Sequence, residues 1–221
     1  MRVLVIGASR GIGREFVHQY LAERARVTAT ARRPEEVAEL EAAGARAFAL
    51  DVVDAVSASG VAWRVDSAGF DVAIVNAGVY GPRTVALETP TEADFDAVMH
   101  TNVLGAMRVI PQLVDALAPG ARLAVLSSRM GSIGARTASA GWLYRASKAA
   151  LNSVLKDVAL QLAGRASCVA FHPGWVQTDM GGASATLTPA RSVADMRRVL
   201  AALTPAQTGS FLNHDGSPIP W

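Results

Sequence analysis

A tyrosine and a lysine stand four residues apart in Tyr144-Arg145-Ala146-Ser147-Lys148. On a helix that spacing puts both on one face. A free tyrosine titrates near about 10, and an ammonium beside its hydroxyl favours the phenolate and lowers that value. Such a pair can trade a proton near neutral pH, which is what general acid–base chemistry requires. Two further polar groups fit the same chemistry. Ser128 follows an apolar run and can hydrogen-bond a carbonyl oxygen. Asn102 lies inside an apolar helical segment where asparagine is a mediocre choice, and through its helix it can hold a water that relays protons to Lys148. Each also has a plainer reading: a chance pair on an exposed helix face, a strand-end hydroxyl, an amide satisfied locally.

A second constellation suits an anion. Val3-Leu4-Val5-Ile6 reads as a buried strand, and Gly7-Ala8-Ser9-Arg10-Gly11-Ile12-Gly13 turns from it into a helix. Gly7 permits the tight turn, Gly11 lets backbone N–H groups approach a pyrophosphate, and Gly13 lets the helix pack closely on the strand. The helix start and its dipole then hold the anion. At the end of the next strand, where an acid would bind a ribose 2′-hydroxyl, the chain has Arg32 and Arg33. With Arg10 they suit a 2′-phosphate by charge and fork geometry. NADP(H) is therefore the expected cofactor, with NAD(H) the alternative. Asp51 and Val52 close a third strand, where a carboxylate can contact an adenine amino group or simply cap a turn. The small turn Asn76-Ala77-Gly78 lets a cofactor lie flat across the strand ends. Thr178, after Pro173-Gly174, can reach a nicotinamide carboxamide or phosphates, or is an ordinary loop hydroxyl.

Regular elements must hold these groups. Strands are expected at residues 3–6, 27–30, 46–50, 71–75, 122–126, 167–171 and 210–212. Helices are expected at 11–23, 35–43 with Gly44 as C-cap, weakly at 54–68, then at 91–118, 142–162 and 190–203. Pro111 should kink or divide the long helix 91–118. The small, polar stretch 181–188 reads as a mobile lid. Strand and helix alternate throughout, so the fold class is α/β, a doubly wound parallel sheet of the Rossmann type in a single domain over residues 1–221. Ligands in such sheets bind beyond the carboxyl ends of the strands, where nearly all of these residues fall.

Composition limits the partners. With 51% hydrophobic and 18% charged residues the chain is a globular one, and a net charge of +2 argues against nucleic acid or an anionic membrane. The single cysteine, Cys168, forbids an internal disulfide and points to a reducing compartment. Only Val3 to Ile6 precede Gly7, too little for a signal peptide, and no apolar run approaches membrane-spanning length. A cytoplasmic protein is expected.

Taken in order, Gly7, Gly11 and Gly13, Asn76-Ala77-Gly78, Asn102, Ser128, Tyr144 with Lys148, and Pro173-Gly174 with Thr178 resemble the short-chain dehydrogenase/reductase family over residues 1 to about 180. The length and the ending Asp215-Gly216-x4-Trp221 further resemble its C-factor/Sniffer-type carbonyl reductase branch. The resemblance implies that Tyr144 is the acid/base, that Lys148 lowers its pKa and binds the nicotinamide ribose, that Ser128 orients a small-molecule carbonyl or alcohol, and that Asn102 supports a proton relay. It implies cofactor contacts from Ser9, Ile12 and Val176 as well as from the residues above, and a homodimer or homotetramer. The family usually has threonine where Ile6 stands. The long loop between Ser128 and Tyr144 leaves Ser127 as an alternative, and Ser128 is preferred because it stands three before Gly131. The rival reading is an NADP(H)-binding sensor or signalling protein with vestigial catalysis. A sugar-nucleotide epimerase would need a substrate domain after Thr178 for which little chain remains.

Overall fold

The computed structural model describes residues 1–221. Seven strands form one parallel sheet in the order β3-β2-β1-β4-β5-β6-β7. They are β1 (Arg2–Ile6), β2 (Arg26–Ala31), β3 (Arg46–Ala49), β4 (Phe70–Val75), β5 (Leu117–Leu126), β6 (Ala166–His172) and β7 (Ser210–Asn213). Helices connect them: α1 (Gly11–Ala22), α2 (Pro34–Ala42), α3 (Ala55–Ser59), α4 (Val61–Arg64), α5 (Glu92–Met99), α6 (Gly105–Leu113), α7 (Trp142–Gln161) and α8 (Pro189–Ala202). The chain winds outward from β1 to β3, then crosses back to place β4 on the other side of β1. That reversal opens a crevice at the carboxyl ends of β1 and β4.

The strands are apolar on both faces because helices cover both. Val3 and Val5 pack with Phe16, Tyr20 and Met196 from α1 and α8. Leu4 and Ile6, pointing the other way, pack with Val109, Leu113 and Leu155 from α6 and α7. No helix is long and apolar enough to cross a membrane.

Most boundaries lie within a residue or two of expectation, and three departures matter. The segment expected to be one helix over 91–118 starts as expected, with Thr91 Oγ1 accepting from Asp94 N at 3.1 Å, but Pro111 does not divide it. The interruption is a π-helical turn at His100–Leu104, which carries Asn102, and β5 begins already at Leu117. The weak helix at 54–68 is two short helices separated at Gly60. The expected lid at 181–188 is tied down: Gln177 N donates to Leu187 O (2.8 Å), Leu187 N to Trp175 O (3.0 Å), and Ala185 is buried. Small polar residues suggested freedom there, but the backbone bonds fold the segment onto Trp175–Gln177.

Candidate active site

Three adjoining cavities lie along the carboxyl ends of the strands. The first is 130 Å³ and is lined by Gly7, Ser9, Arg10, Arg32, Asp51, Val52 and Asn76-Ala77-Gly78 among others. The second, 320 Å³, adds Gly11, Ile12 and Thr178. The third, 390 Å³, is lined by Ser128, Tyr144, Pro173, Gly174 and Val176, and shares Ile12 and Thr178 with the second.

The glycine turn is shaped by contacts only glycine allows. Gly7 has φ +84°, and a Cβ there would stand 2.8 Å from Ala77 N; a Cβ on Gly13 would stand 2.2 Å from Gly7 O and 2.6 Å from Asn76 Nδ2. Asn76 Nδ2 donates to Gly7 O at 2.6 Å, linking the ends of β1 and β4. No side chain caps α1, so its first-turn N–H groups are open toward the second cavity. Thr30 Oγ1 accepts from Gly7 N at 3.0 Å. A strand threonine thus supplies a hydroxyl to the turn that Ile6 cannot, a role the strand pattern does not reveal. An open helix N-terminus, a turn with glycine at positions 7, 11 and 13, and Arg32 on the cavity wall fit a dinucleotide phosphate.

The other arginines are less free than the sequence suggested. Arg33 does not line the cavities: its guanidinium pairs with Glu36 (2.7 Å) and Glu35 (3.3 Å) at the start of α2. Arg10 lines two cavities but pairs with Asp179 at 2.6 Å. Asp51 both lines the first cavity and accepts from Val53 N at 2.9 Å, so its two readings coexist.

Helix α7 brings Tyr144 to the third cavity and buries Lys148, which lines none of the three cavities. Tyr144, Ser147, Lys148, Leu151, Asn152 and Leu155 form its buried stripe. Close packing under it depends on Gly131, where a Cβ would meet Lys148 backbone carbon at 2.7 Å. The Lys148 ammonium donates to Leu126 O at 2.8 Å, and burial pulls its pKa down from 10.5 to about 8. It lies over the Tyr144 ring, 5.7 Å from the centroid. Burial pushes the Tyr144 phenol up to about 12; a hydrogen bond with Ser128 opposes the rise and the neighbouring Tyr80 adds to it. Desolvation is the largest influence on the phenol and favours its neutral, proton-carrying form.

The two candidate serines separate. Ser127 Oγ donates to Asn152 Oδ1 at 2.6 Å, whereas Ser128 Oγ accepts from Met130 N at 3.2 Å and interacts with the phenol. Asn102 is likewise committed. Its Oδ1 accepts from Val79 N, and its Nδ2 donates to Val79 O and to Ser147 Oγ, all at 2.8–2.9 Å. With both amide hydrogens taken, the side chain positions its neighbours. Ser147 Oγ in turn donates to Tyr144 O at 2.8 Å. Ser147 sits inside the Tyr–Lys spacing, and a hydroxyl on the buried face of α7 is the one sequence signal of this role.

Tyr80 stacks on Tyr144 with centroids 4.5 Å apart. Arg83 lies over the Tyr80 ring at 4.9 Å and donates to Met180 O at 2.7 Å, joining the 79–90 loop to the segment after Thr178. Arg83 lies in a region without periodicity, so its place at the pocket depends on tertiary contacts alone.

Comparison with known proteins agrees with this geometry. The family model described as short chain dehydrogenase matches residues 1–187. The C-signal protein of Myxococcus xanthus is 42% identical over 154 residues, covering 68% of this chain and 92% of that protein. The solved structure of the carbonyl reductase Sniffer of D. melanogaster superposes with a TM-score of 0.88 at 28% identity, covering 100% of this chain and 99% of that one. A carbonyl reductase from Pseudomonas aeruginosa PAO1, solved in complex with NADP, gives 0.87 at 32% identity with the same coverage. These likenesses bear out the resemblance to the C-factor/Sniffer-type branch, and the chain belongs to the short-chain dehydrogenase family of oxidoreductases.

Proposed function

We propose that the protein is an NADPH-dependent reductase of aldehydes and ketones, working reversibly as an alcohol dehydrogenase. The observation that carries this reading is that the second and third cavities share Ile12 and Thr178, and that Tyr144 and Ser128 line the third. The open start of α1 and the glycine turn would hold the pyrophosphate. Arg32, with Arg10 once released from Asp179, would hold the 2′-phosphate. The NADP complex of the Pseudomonas carbonyl reductase supports that choice.

The dinucleotide, when bound, supplies a hydride to the carbonyl carbon. Ser128 donates a hydrogen bond to the carbonyl oxygen, and Tyr144 gives that oxygen its proton. A phenol raised by burial suits the donor role in reduction. Lys148 supplies positive charge behind the phenol and reaches toward the nicotinamide ribose. Asn102 acts by position, holding Val79 and, through Ser147, the backbone of Tyr144. The protein is proposed to work in the cytoplasm as a homodimer or homotetramer; Phe95 on α5 and Met107 on α6 are half-exposed apolar residues available to an interface. A monomeric mass by light scattering would refute the assembly.

The test is fluorescence titration with NADPH and NADH at matched salt, followed by a carbonyl screen with Tyr144→Phe as control. Tighter NADPH binding, turnover, and its loss in Tyr144→Phe with cofactor binding retained are expected. Equal or tighter NADH binding would break the cofactor choice. NADPH binding with no turnover across the screen would favour the sensor reading, for which the likeness to C-signal is the supporting observation.

A further inference from the structure

We infer that the third cavity is built for a carbonyl compound, or the corresponding alcohol, that also carries a carboxylate, and that Arg129 takes the carboxylate. This rests on the reductase reading and names the substrate class for that site. The cavity has a one-sided charge: Arg83 and Arg129 both line it, and none of its 16 lining residues is acidic. The two arginines differ. Arg83 is spent on Met180 O and the Tyr80 ring. Arg129 follows Ser128 directly, is exposed, and takes part in none of the ion pairs that engage Arg10, Arg14, Arg33, Arg165, Arg191, Arg197 and Arg198.

A second group points the same way. His172, at the end of β6, lines the cavity, and its Nδ1 is buried without a hydrogen-bond partner. Burial, His214 and Arg129 together hold this imidazole down at about 4, so it is neutral at working pH. Arg129 and His172 both line this cavity. A neutral imidazole adds no charge to the wall beside Arg129. A carboxylate entering from the Ser128 side would meet a guanidinium fork suited to its planar geometry. An uncharged aldehyde would not.

The experiment compares 4-carboxybenzaldehyde with methyl 4-formylbenzoate, which differ in charge at one end and share the reacting carbonyl. The ratio of kcat/KM values, acid over ester, is measured for the wild type, Arg129→Gln and Arg136→Gln. Arg136 lies in the same loop, outside the cavity, and controls for long-range steering. The wild type should favour the acid by about tenfold, as one charge-assisted contact allows; Arg129→Gln should bring the ratio close to unity and Arg136→Gln should leave it. A wild-type ratio near one, an equal loss in Arg136→Gln, or an Arg129→Gln defect shared by acid and ester together with weaker NADPH binding would each overturn the inference. If NADPH binds but neither aldehyde is reduced, the reductase reading has failed. The cavity's charge preference is then read from binding of 4-(hydroxymethyl)benzoate and its methyl ester to the protein–NADP+ complex, where tighter acid binding supports the inference and equal binding overturns it.

Discussion

Replacing Lys148 by methionine should strengthen the fold while removing turnover. Burial lowers the Lys148 pKa from 10.5 to about 8. At about 1.36 kcal/mol per unit, holding the ammonium inside the folded protein costs about 3 kcal/mol at pH 7. Methionine keeps most of the volume without the charge. It loses the 2.8 Å bond from Nζ to Leu126 O, a net loss of about 1 kcal/mol. The variant should therefore be more stable than the wild type by about 2 kcal/mol at pH 7.

The sign of the pH dependence makes this specific. The folded pKa lies below the unfolded one, so between pH 8 and 10.5 the unfolded chain binds more protons and wild-type stability rises with pH. Every other titrating group is common to both proteins. The advantage of about 2 kcal/mol should then be lost between pH 7 and pH 10. Urea denaturation of both proteins at four pH values measures it, and an NADPH-linked assay shows the lost activity. A gap that does not change with pH, or a variant weaker than the wild type at pH 7, would refute the argument that Lys148 is a charge kept at the expense of stability.

The phenol gives a companion test: because burial holds Tyr144 near 12, the ultraviolet difference between wild type and Tyr144→Phe without cofactor should show no phenolate below pH 10. Asp179→Asn frees Arg10 from an exposed ion pair, so NADPH affinity should rise, by no more than about fivefold since such pairs are worth at most about 1 kcal/mol; the gain should vanish at high salt, and weaker binding would show that Asp179 helps rather than competes. Gly13→Ala puts a Cβ 2.2 Å from Gly7 O, so calorimetry should show a loss of about 1–3 kcal/mol together with lost NADPH binding. Gly44→Ala, with nothing within 4 Å of its Cβ, should lose only the left-handed backbone preference of about 1–2 kcal/mol and bind NADPH normally.

What could be read from the sequence followed the reach of local rules. Val3 to Ile6 and Val72 to Val75 are apolar at every position, and such runs between helices imply a parallel sheet covered on both sides. Gly7 and Gly13 were legible because a short turn gives them few alternatives. Arg32 and Arg33 were not separable in the sequence: both follow β2, and only the neighbouring Glu35 and Glu36 decide that Arg33 turns away. Pro111 misled for a related reason. A proline is a local signal, but the helix is interrupted where Asn102 is drawn to Val79 and Ser147, partners distant in the chain. Arg83 and Asp179 carried no pattern at all, since their roles exist only once two loops meet.

Helix α7 shows why the site was nevertheless found. A buried helical stripe should be apolar, yet Tyr144, Ser147, Lys148 and Asn152 occupy this one beside Leu151 and Leu155. Each costs stability in isolation, most of all the lysine. Their partners make the arrangement coherent: Lys148 meets Leu126 O, Asn152 accepts from Ser127, and Ser147 joins Asn102 to the backbone of Tyr144. The bonds run to the end of β5, to the turn after it and to the π-helical turn, so these three elements cannot shift independently of the phenol. If this is how position is maintained, Ser147→Ala should lower kcat with little change in KM for NADPH, because it loosens Tyr144 without touching the cofactor cavities. Ser147→Thr, which keeps the hydroxyl, should recover part of the rate. Equal defects in the two variants would mean that Ser147 merely fills space, and the network would then be packing rather than the frame that aims the proton.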